Sequence, residues 1–99
     1  MTHFFCRLNP PRATFAQDLT DEERQLMMRH AAYWREHLDA GRAEIFGMVA
    51  DPGGGWGFAV AKAEDPSAVA AMTAADPVMV AQRGFSYDVF PMPRGAVMR

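Results

Sequence analysis

The sequence predicts an α+β fold built on one antiparallel sheet. Two observations carry this prediction: a long amphipathic pattern with a period of about 3.6 follows the first apolar segment, and the apolar segments around it end at turns rich in Gly and Pro. The chain has 99 residues, 49% of them hydrophobic and 22% charged, which is typical of one globular domain. We therefore expect a single domain over residues 1–99, with a core at residues 2–91 and a tail at residues 92–99.

The first two elements are a strand and a long helix. Residues 2–8 are rich in Phe and run into Asn9-Pro10-Pro11, which predicts a strand followed by a loop over residues 10–19. Thr20-Asp-Glu-Glu23 matches a capping box, in which the side chains of Thr and Glu each accept a hydrogen bond from the other residue's backbone N–H. Apolar residues then recur at helical spacing, so a helix is expected over residues 21–40.

The remainder of the chain predicts a hairpin, a short helix and a last strand. Strands are expected at residues 43–50 and 56–63, because the intervening Asp51-Pro-Gly-Gly-Gly55 favours a tight turn. An Ala-rich helix follows at residues 67–75, and Asp76-Pro77 ends it before a brief turn or short helix. The last strand is expected at residues 84–91.

The order β-α-β-β-α-β gives a ferredoxin-like plait when its crossovers are right-handed. In this plait a four-stranded antiparallel sheet carries two helices on one face and leaves the other face open. The strand at residues 56–63 alternates large and small apolar residues, so neither of its faces suits water. We expect the small residues under the helices and the large ones on the open face, although the reverse arrangement fits the same pattern.

Large apolar residues on an open face predict a partner for that face. Besides the large residues of the third strand, we expect the open face to include Phe46, Met48, Phe85, Tyr87 and Val89. Exposing five such side chains forfeits roughly 8–15 kcal/mol, which rivals the net stability of a whole domain. A sheet-to-sheet homodimer is the simplest way to bury them.

Charge and cysteine content narrow the choice of partners. The net charge is −2 and the ten basic residues are scattered, so a nucleic-acid surface is not expected. The longest stretch of low polarity, residues 68–75, is too short to span a membrane. The single cysteine, Cys6, allows no internal disulfide and fits a reducing compartment, so we expect a cytoplasmic protein.

Two residues, His30 and Asp76, could form an acid–base pair. His30 lies on the apolar stripe of the long helix, with Met27 one turn before it and Trp34 one turn after, so its imidazole faces the sheet. Such a histidine is either a proton carrier or a core residue bonded to the backbone. Asp76 is either a cap or turn residue or, where the two helices pack side by side, the carboxylate that orients His30. Spacing alone favours the structural role for each.

Four further residues are weaker candidates for substrate binding. Tyr33 and Trp34 are expected to pack in the core, although either could form a wall of a pocket. Arg7 and Arg12 flank the first loop and could hold an anionic ligand, although solvated arginines fit the sequence as well.

We expect neither a metal nor a cofactor. His37 follows His30 by seven residues, which separates them by about 10.5 Å along a helix axis and prevents direct ligation of one metal. The glycines at residues 53–55 lack the lysine and the strand-to-helix context of a phosphate-binding loop. Cys6 is expected to be a small buried residue rather than a nucleophile.

The chain as a whole resembles the YCII-related (YciI-like) family. The resemblance covers residues 4–91 and rests on short motifs in a fixed order: His30-Ala-Ala-Tyr33, Gly41, Phe46-Gly47, Asp51-Pro-Gly-Gly, Ala75-Asp76-Pro77 and a last strand that ends in Pro91. It implies a dimeric ferredoxin-like fold, with the family's proposed active-site His and Asp at His30 and Asp76. One member is a dehydrochlorinase of chlorinated-aromatic degradation, and muconolactone isomerase has a related fold.

Two functions remain open besides a third, that of a regulatory partner of another protein. The first is a cofactor-independent lyase or isomerase, in which His30 moves a proton of a small organic acid or aromatic substrate and Asp76 orients the imidazole. The second is a non-catalytic ligand-binding or dimeric interaction module, in which His30 is a structural hydrogen-bond partner and Asp76 is a cap. Contact between the two side chains beside a cavity favours the enzyme.

Overall fold

The computed structural model describes residues 1–97 and contains one four-stranded antiparallel sheet. The strands lie in the order second, third, first, fourth, so the first and third are central. This order, with helices in both crossovers, is that of the predicted ferredoxin-like plait. The strands are β1 (Thr2–Asn9), β2 (Ala43–Val49), β3 (Trp56–Ala63) and β4 (Ser86–Met92), the last of which extends one residue past the predicted end.

The helices of the described residues are α1 (Phe15–Asp18), α2 (Asp21–Asp39), α3 (Pro66–Ala74) and α4 (Pro77–Val80). The long helix α2 begins where the capping box predicts. Thr20 Oγ1 accepts a hydrogen bond from the Glu23 N–H at 3.1 Å, and Glu23 Oε1 accepts one from the Thr20 N–H at 2.8 Å. The brief element expected after Asp76 is the single turn α4.

The short helix α1 lies in the segment for which the sequence predicted a loop. The Asp18 N–H donates to the Thr14 carbonyl at 3.1 Å, which closes one turn. Phe15 is buried, and its ring packs edge to face on that of Phe85 with centroids 5.3 Å apart. Tertiary burial therefore stabilises a turn that is too short to show a helical period.

The core lies between the sheet and the helices α2 and α3. The small residues of β3, Ala59, Ala61 and Ala63, are buried there in one cluster with Trp34 of α2 and Val69 of α3. Small side chains on the sheet allow the helices to approach it closely. The alternate positions of β3 face the other way, so the expected division into a small covered set and a large open set is confirmed.

The prediction for β2 was wrong, because Phe46 and Met48 lie on the helix side of the sheet. A β-bulge between Ala43 and Ile45 shifts the pairing of β2 with β3. A shift of one residue turns every following side chain to the opposite face. Ile45 therefore faces the open side, whereas Phe46 packs against the main core.

Three residues near the last strand were also expected on the open face and lie on the helix side. Tyr87 and Val89 pair with Leu8 and Cys6, both of which are buried under the helices. Phe85 precedes β4 and is buried in a second apolar cluster. The pleat of β4 explains this placement, since its register with β1 decides which alternate residues face inward.

The open face is nonetheless apolar. Phe5 stacks on Phe58 with centroids 6.0 Å apart and meets the ring of Trp56 edge to face at 6.4 Å. Ile45 and Phe90, on the two edge strands, are 49% and 54% exposed. Among residues 1–97, no helix combines the length and apolarity that a membrane span requires.

Candidate functional site

Asp76 is the N-cap of α4 and is completely buried. Its Oδ1 accepts a hydrogen bond from the Val78 N–H at 3.1 Å, which is the capping role expected of Asp before Pro77. The main chain holds it as well, because the Met79 N–H donates to its carbonyl at 2.8 Å. Capping uses only one carboxylate oxygen and leaves Oδ2 for other partners.

His30 of α2 contacts that second oxygen. Its Nδ1 lies 2.7 Å from Asp76 Oδ2, and its side chain is 13% exposed whereas that of Asp76 is 0% exposed. An ionised carboxylate only accepts hydrogen bonds, so Nδ1 carries the proton. In the neutral imidazole this leaves the lone pair on Nε2, which has no protein partner among residues 1–97.

Trp34 and Tyr87 complete the contacts to Oδ2. The Trp34 Nε1–H donates to it at 2.9 Å and the Tyr87 hydroxyl donates to it at 2.6 Å. The indole Nε1 also lies 3.0 Å from the Tyr87 oxygen, which accepts from Trp34 while donating to Asp76. Three donors from α2 and β4 therefore converge on one oxygen and fix the carboxylate in position.

Burial and hydrogen bonding act in opposite directions on the pKa of Asp76. Burial raises this pKa. The hydrogen bond from His30, the charge of His30, and the hydrogen bonds from Tyr87 and the Val78 N–H lower it, and together they hold the pKa below its usual value. The carboxylate is therefore ionised at neutral pH. Burial next to this anion raises the pKa of Tyr87, so the phenol keeps its proton and remains a donor.

A cleft of about 390 Å³ opens beside His30. Its walls come from α1, α2, all of the strands but β4, and the loops next to them, and they are almost entirely apolar. Among the described residues that line it, His30 has the sole ionisable side chain. The larger apolar residues of the lining are Leu8, Phe15, Leu19, Met27, Phe46, Met48 and Phe85. Trp56, whose ring contacts Phe5 on the open face, borders the cleft at the start of β3. Apolar walls with a small number of placed polar groups are the usual composition of a small-molecule site.

The match to a family model covers this whole arrangement. The model of the YCII-related domain matches residues 3–93, from β1 to just beyond β4. The chain belongs to this family. A comparison with curated proteins found no match.

Two aromatic residues expected to bind substrate do not line the cleft of this YCII-related domain. The Tyr33 hydroxyl donates to the Met72 carbonyl at 2.6 Å, which ties α2 to α3. Trp34 is completely buried and reaches Asp76 instead. Both lie on the core side of α2, and Trp34 acts on the carboxylate that holds His30.

Arg7 of β1 and Arg12 of the following loop line a smaller depression of about 140 Å³ next to the cleft. Arg12 donates to both carboxylate oxygens of Glu23, at 2.7 and 2.8 Å, and to Asp18 at 2.8 Å. Arg7 faces the open side of the sheet, where its guanidinium lies 4.3 Å from the ring centroid of Trp56. Neither arginine lines the cleft beside His30.

Other reactive side chains of the YCII-related domain lie apart from the site. Among residues 1–97, no group of three or more His, Cys, Asp and Glu side chains could hold a metal ion. His37 accepts a hydrogen bond from Arg42 Nε at 2.9 Å. Cys6 is buried in the core, and burial raises the pKa of its thiol to about 11.

Sequence reasoning missed the contribution of Tyr87 to the site. The residue was assigned to the open face because the register of an isolated strand cannot be read from its own alternation. For Trp34 a signal was present, since it follows His30 by one helical turn and shares its face of α2. A buried indole N–H needs an acceptor, and Asp76 supplies it at 2.9 Å.

Proposed function

We propose that this YCII-related domain catalyses proton transfer on a small organic substrate, as a lyase or an isomerase. The observation that carries the proposal is the contact of His30 Nδ1 with a buried, ionised carboxylate at the wall of an apolar cleft. The arrangement supports acid–base chemistry, because the carboxylate fixes the orientation and the tautomer of the imidazole ring.

In the proposed reaction Nε2 of His30 removes a proton from a substrate carbon. The imidazole then carries positive charge, which the Asp76 carboxylate stabilises across the 2.7 Å contact. The imidazolium returns the proton to another carbon in an isomerisation, or to a leaving group in an elimination. Apolar walls favour this step, because they keep water from competing for the proton.

The proposal includes no cofactor, since moving one proton between two positions requires only an acid–base group. It also assigns the protein to the cytoplasm, where the buried thiol of Cys6 would stay reduced.

The test is hydrogen exchange at carbon. Small compounds that raise the melting temperature are incubated with the protein in D₂O, and the loss of their C–H signals is followed by ¹H NMR. His30→Gln is expected to slow exchange by about 10²–10⁴-fold. His37→Gln, on the same helix but outside the cleft, is the matched control and is expected to retain it. Exchange that is equally fast in His30→Gln would reject the proposal.

A non-catalytic ligand-binding module is the second candidate, and one observation favours it. Asp76 caps α4 and joins it to α2 through His30, so the pair also has a structural use. In that case compounds bind in the cleft without any carbon exchange in D₂O. Binding without exchange across the panel would favour this candidate over the enzyme.

We also propose that the domain forms a homodimer through its open sheet face. The stacked rings of Phe5, Trp56 and Phe58 and the exposed side chains of Ile45 and Phe90 support this. A second copy of the same apolar face would cover them by two-fold symmetry. Sedimentation equilibrium measures the mass, and a monomer at micromolar concentration would contradict the proposal.

A further inference from the structure

We infer that the cleft selects an uncharged, largely apolar substrate and discriminates against carboxylates. This deepens the proposed function and rests on it, because it takes the cleft beside His30 as the substrate site. The sequence had left both a small organic acid and an aromatic compound open. Three features of the described residues decide between charged and uncharged ligands: the lining, the buried carboxylate behind His30, and the state of the nearby arginines.

The lining offers a carboxylate no compensating charge. Apart from His30, the side chains that line the cleft are those of apolar or aromatic residues, Gly and Pro. An anion that enters such surroundings loses its hydration without gaining a cation or a set of donors. An apolar ligand instead gains free energy in proportion to the surface it buries.

Asp76 makes the cleft still less favourable to anions. The buried carboxylate does not line the cleft, but it contacts at 2.7 Å the imidazole that does. With His30 neutral the pair carries one negative charge, and with His30 protonated it carries none. A bound carboxylate therefore meets a net charge of zero or −1, and this charge acts at short range in a medium that screens it poorly.

The nearby arginines are already occupied. Arg12 is held by Asp18 and Glu23, so the three groups together carry a net negative charge. Arg7 lies over the ring of Trp56 on the opposite face of the sheet and donates to Asn9 at 3.1 Å. Recruiting either cation for a ligand in the cleft would break these contacts.

The test compares three ligands of similar shape: phenylacetamide, phenylacetate and phenethylamine. Binding to the full chain is followed by NMR of methionine methyl groups labelled with ¹³C. Met27 lines the cleft and reports on it, whereas Met28 is 67% exposed outside it and serves as the internal control. Phenylacetamide is expected to shift the Met27 methyl and to bind roughly tenfold to a hundredfold more tightly than phenylacetate.

A pair of variants tests the electrostatic cause. Met48→Lys adds an ammonium at an exposed position of the cleft wall, and Met28→Lys adds one at a similarly exposed position of α2 outside the cleft. Met48→Lys is expected to lower the ratio of the phenylacetate Kd to the phenylacetamide Kd by about fivefold or more. Met28→Lys is expected to leave that ratio unchanged.

Several results would overturn the inference. They are phenylacetate binding as tightly as phenylacetamide, phenethylamine binding most tightly, equal effects of the two lysine variants, or no shift of Met27 with any ligand. Because the readout is binding, its failure is distinct from that of the proposed function. The charge preference can hold in a protein that exchanges no carbon-bound proton, and exchange can occur on a charged compound.

Discussion

Replacing Asp76 with Asn removes the charge at the centre of the site while keeping its shape. Oδ2 of Asp76 accepts from His30, Trp34 and Tyr87, and Oδ1 accepts from the Val78 N–H. An amide nitrogen accepts none of these bonds. Whichever way the Asn amide turns, its NH₂ group faces at least one of these donors in a buried position.

The expected loss of stability follows from these contacts. A hydrogen bond to a charged group contributes about 1.5–3 kcal/mol, and the three bonds to Oδ2 are lost or weakened together. Since the Asn oxygen or a change of the His30 tautomer recovers part of this, we expect Asp76→Asn to lower the free energy of unfolding by about 2–4 kcal/mol. Urea denaturation at pH 7 measures the change.

Asp65→Asn is the matched control. Asp65 is an exposed N-cap whose side chain accepts from the Ala68 N–H at 2.8 Å, and Asn caps a helix about as well as Asp. We expect a change within about 0.5 kcal/mol there. Equal destabilisation by the two substitutions would refute the reasoning, because it would mean that Asp76 acts only as a cap.

Acid titration gives a second signature of the same carboxylate. The pKa of Asp76 is lower in the folded protein than its unfolded value of about 3.9, so its contribution to stability is present above that pH and is lost as the pH falls through the folded pKa. The difference between wild type and Asp76→Asn should therefore shrink below about pH 4. A difference that stays constant from pH 7 to pH 3 would contradict this assignment.

Three further predictions concern other parts of the molecule. Phe90→Glu on the open face should shift the sedimenting species from dimer to monomer, whereas Met28→Glu, on a helix, should not. The pKa of Tyr87 is raised in the folded protein, so the phenol ionises first in the unfolded chain and the wild type should lose stability above about pH 10. In urea denaturation at alkaline pH, Tyr87→Phe should lose less of its free energy of unfolding than the wild type does. Gly54→Ala should lower the free energy of unfolding by about 1–3 kcal/mol, because φ is +130° and the new Cβ would lie 2.8 Å from a backbone oxygen. Urea denaturation measures this loss, and a loss no larger than that of Gly53→Ala would contradict the prediction.

Much of the fold could be predicted from local sequence signals. The capping box at Thr20 set the start of α2, and alternation divided β3 into a small and a large apolar set, although it left open which set the helices cover. These signals involve neighbouring residues only, so an isolated sequence contains them. Phe46 and Met48 were misplaced because a bulge depends on the pairing of two strands, which no local pattern records.

The candidate site was predictable in part for the same reason. His30 stands out as a polar residue on an apolar stripe, and its approach to Asp76 follows once the helices share one face of the sheet. The contributions of Trp34 and Tyr87 depend on side-chain directions in the packed core. Part of the cleft wall comes from α1, and α1 is stabilised by the packing of Phe15 on Phe85, which is distant in sequence.

The wall of the cleft and the hydrogen-bonded group behind it differ in burial, and this difference bears on how the sequences of such domains diverge. The hydrogen-bonded group around Asp76 consists of buried or nearly buried residues, and each side chain constrains the others. Much of the wall comes from the edge strand β2 and the single turn α1, where Met48 is 65% exposed and replacement disturbs little packing. Under the proposed function, ligand preference can therefore change through surface substitutions while the buried hydrogen-bonded group stays the same.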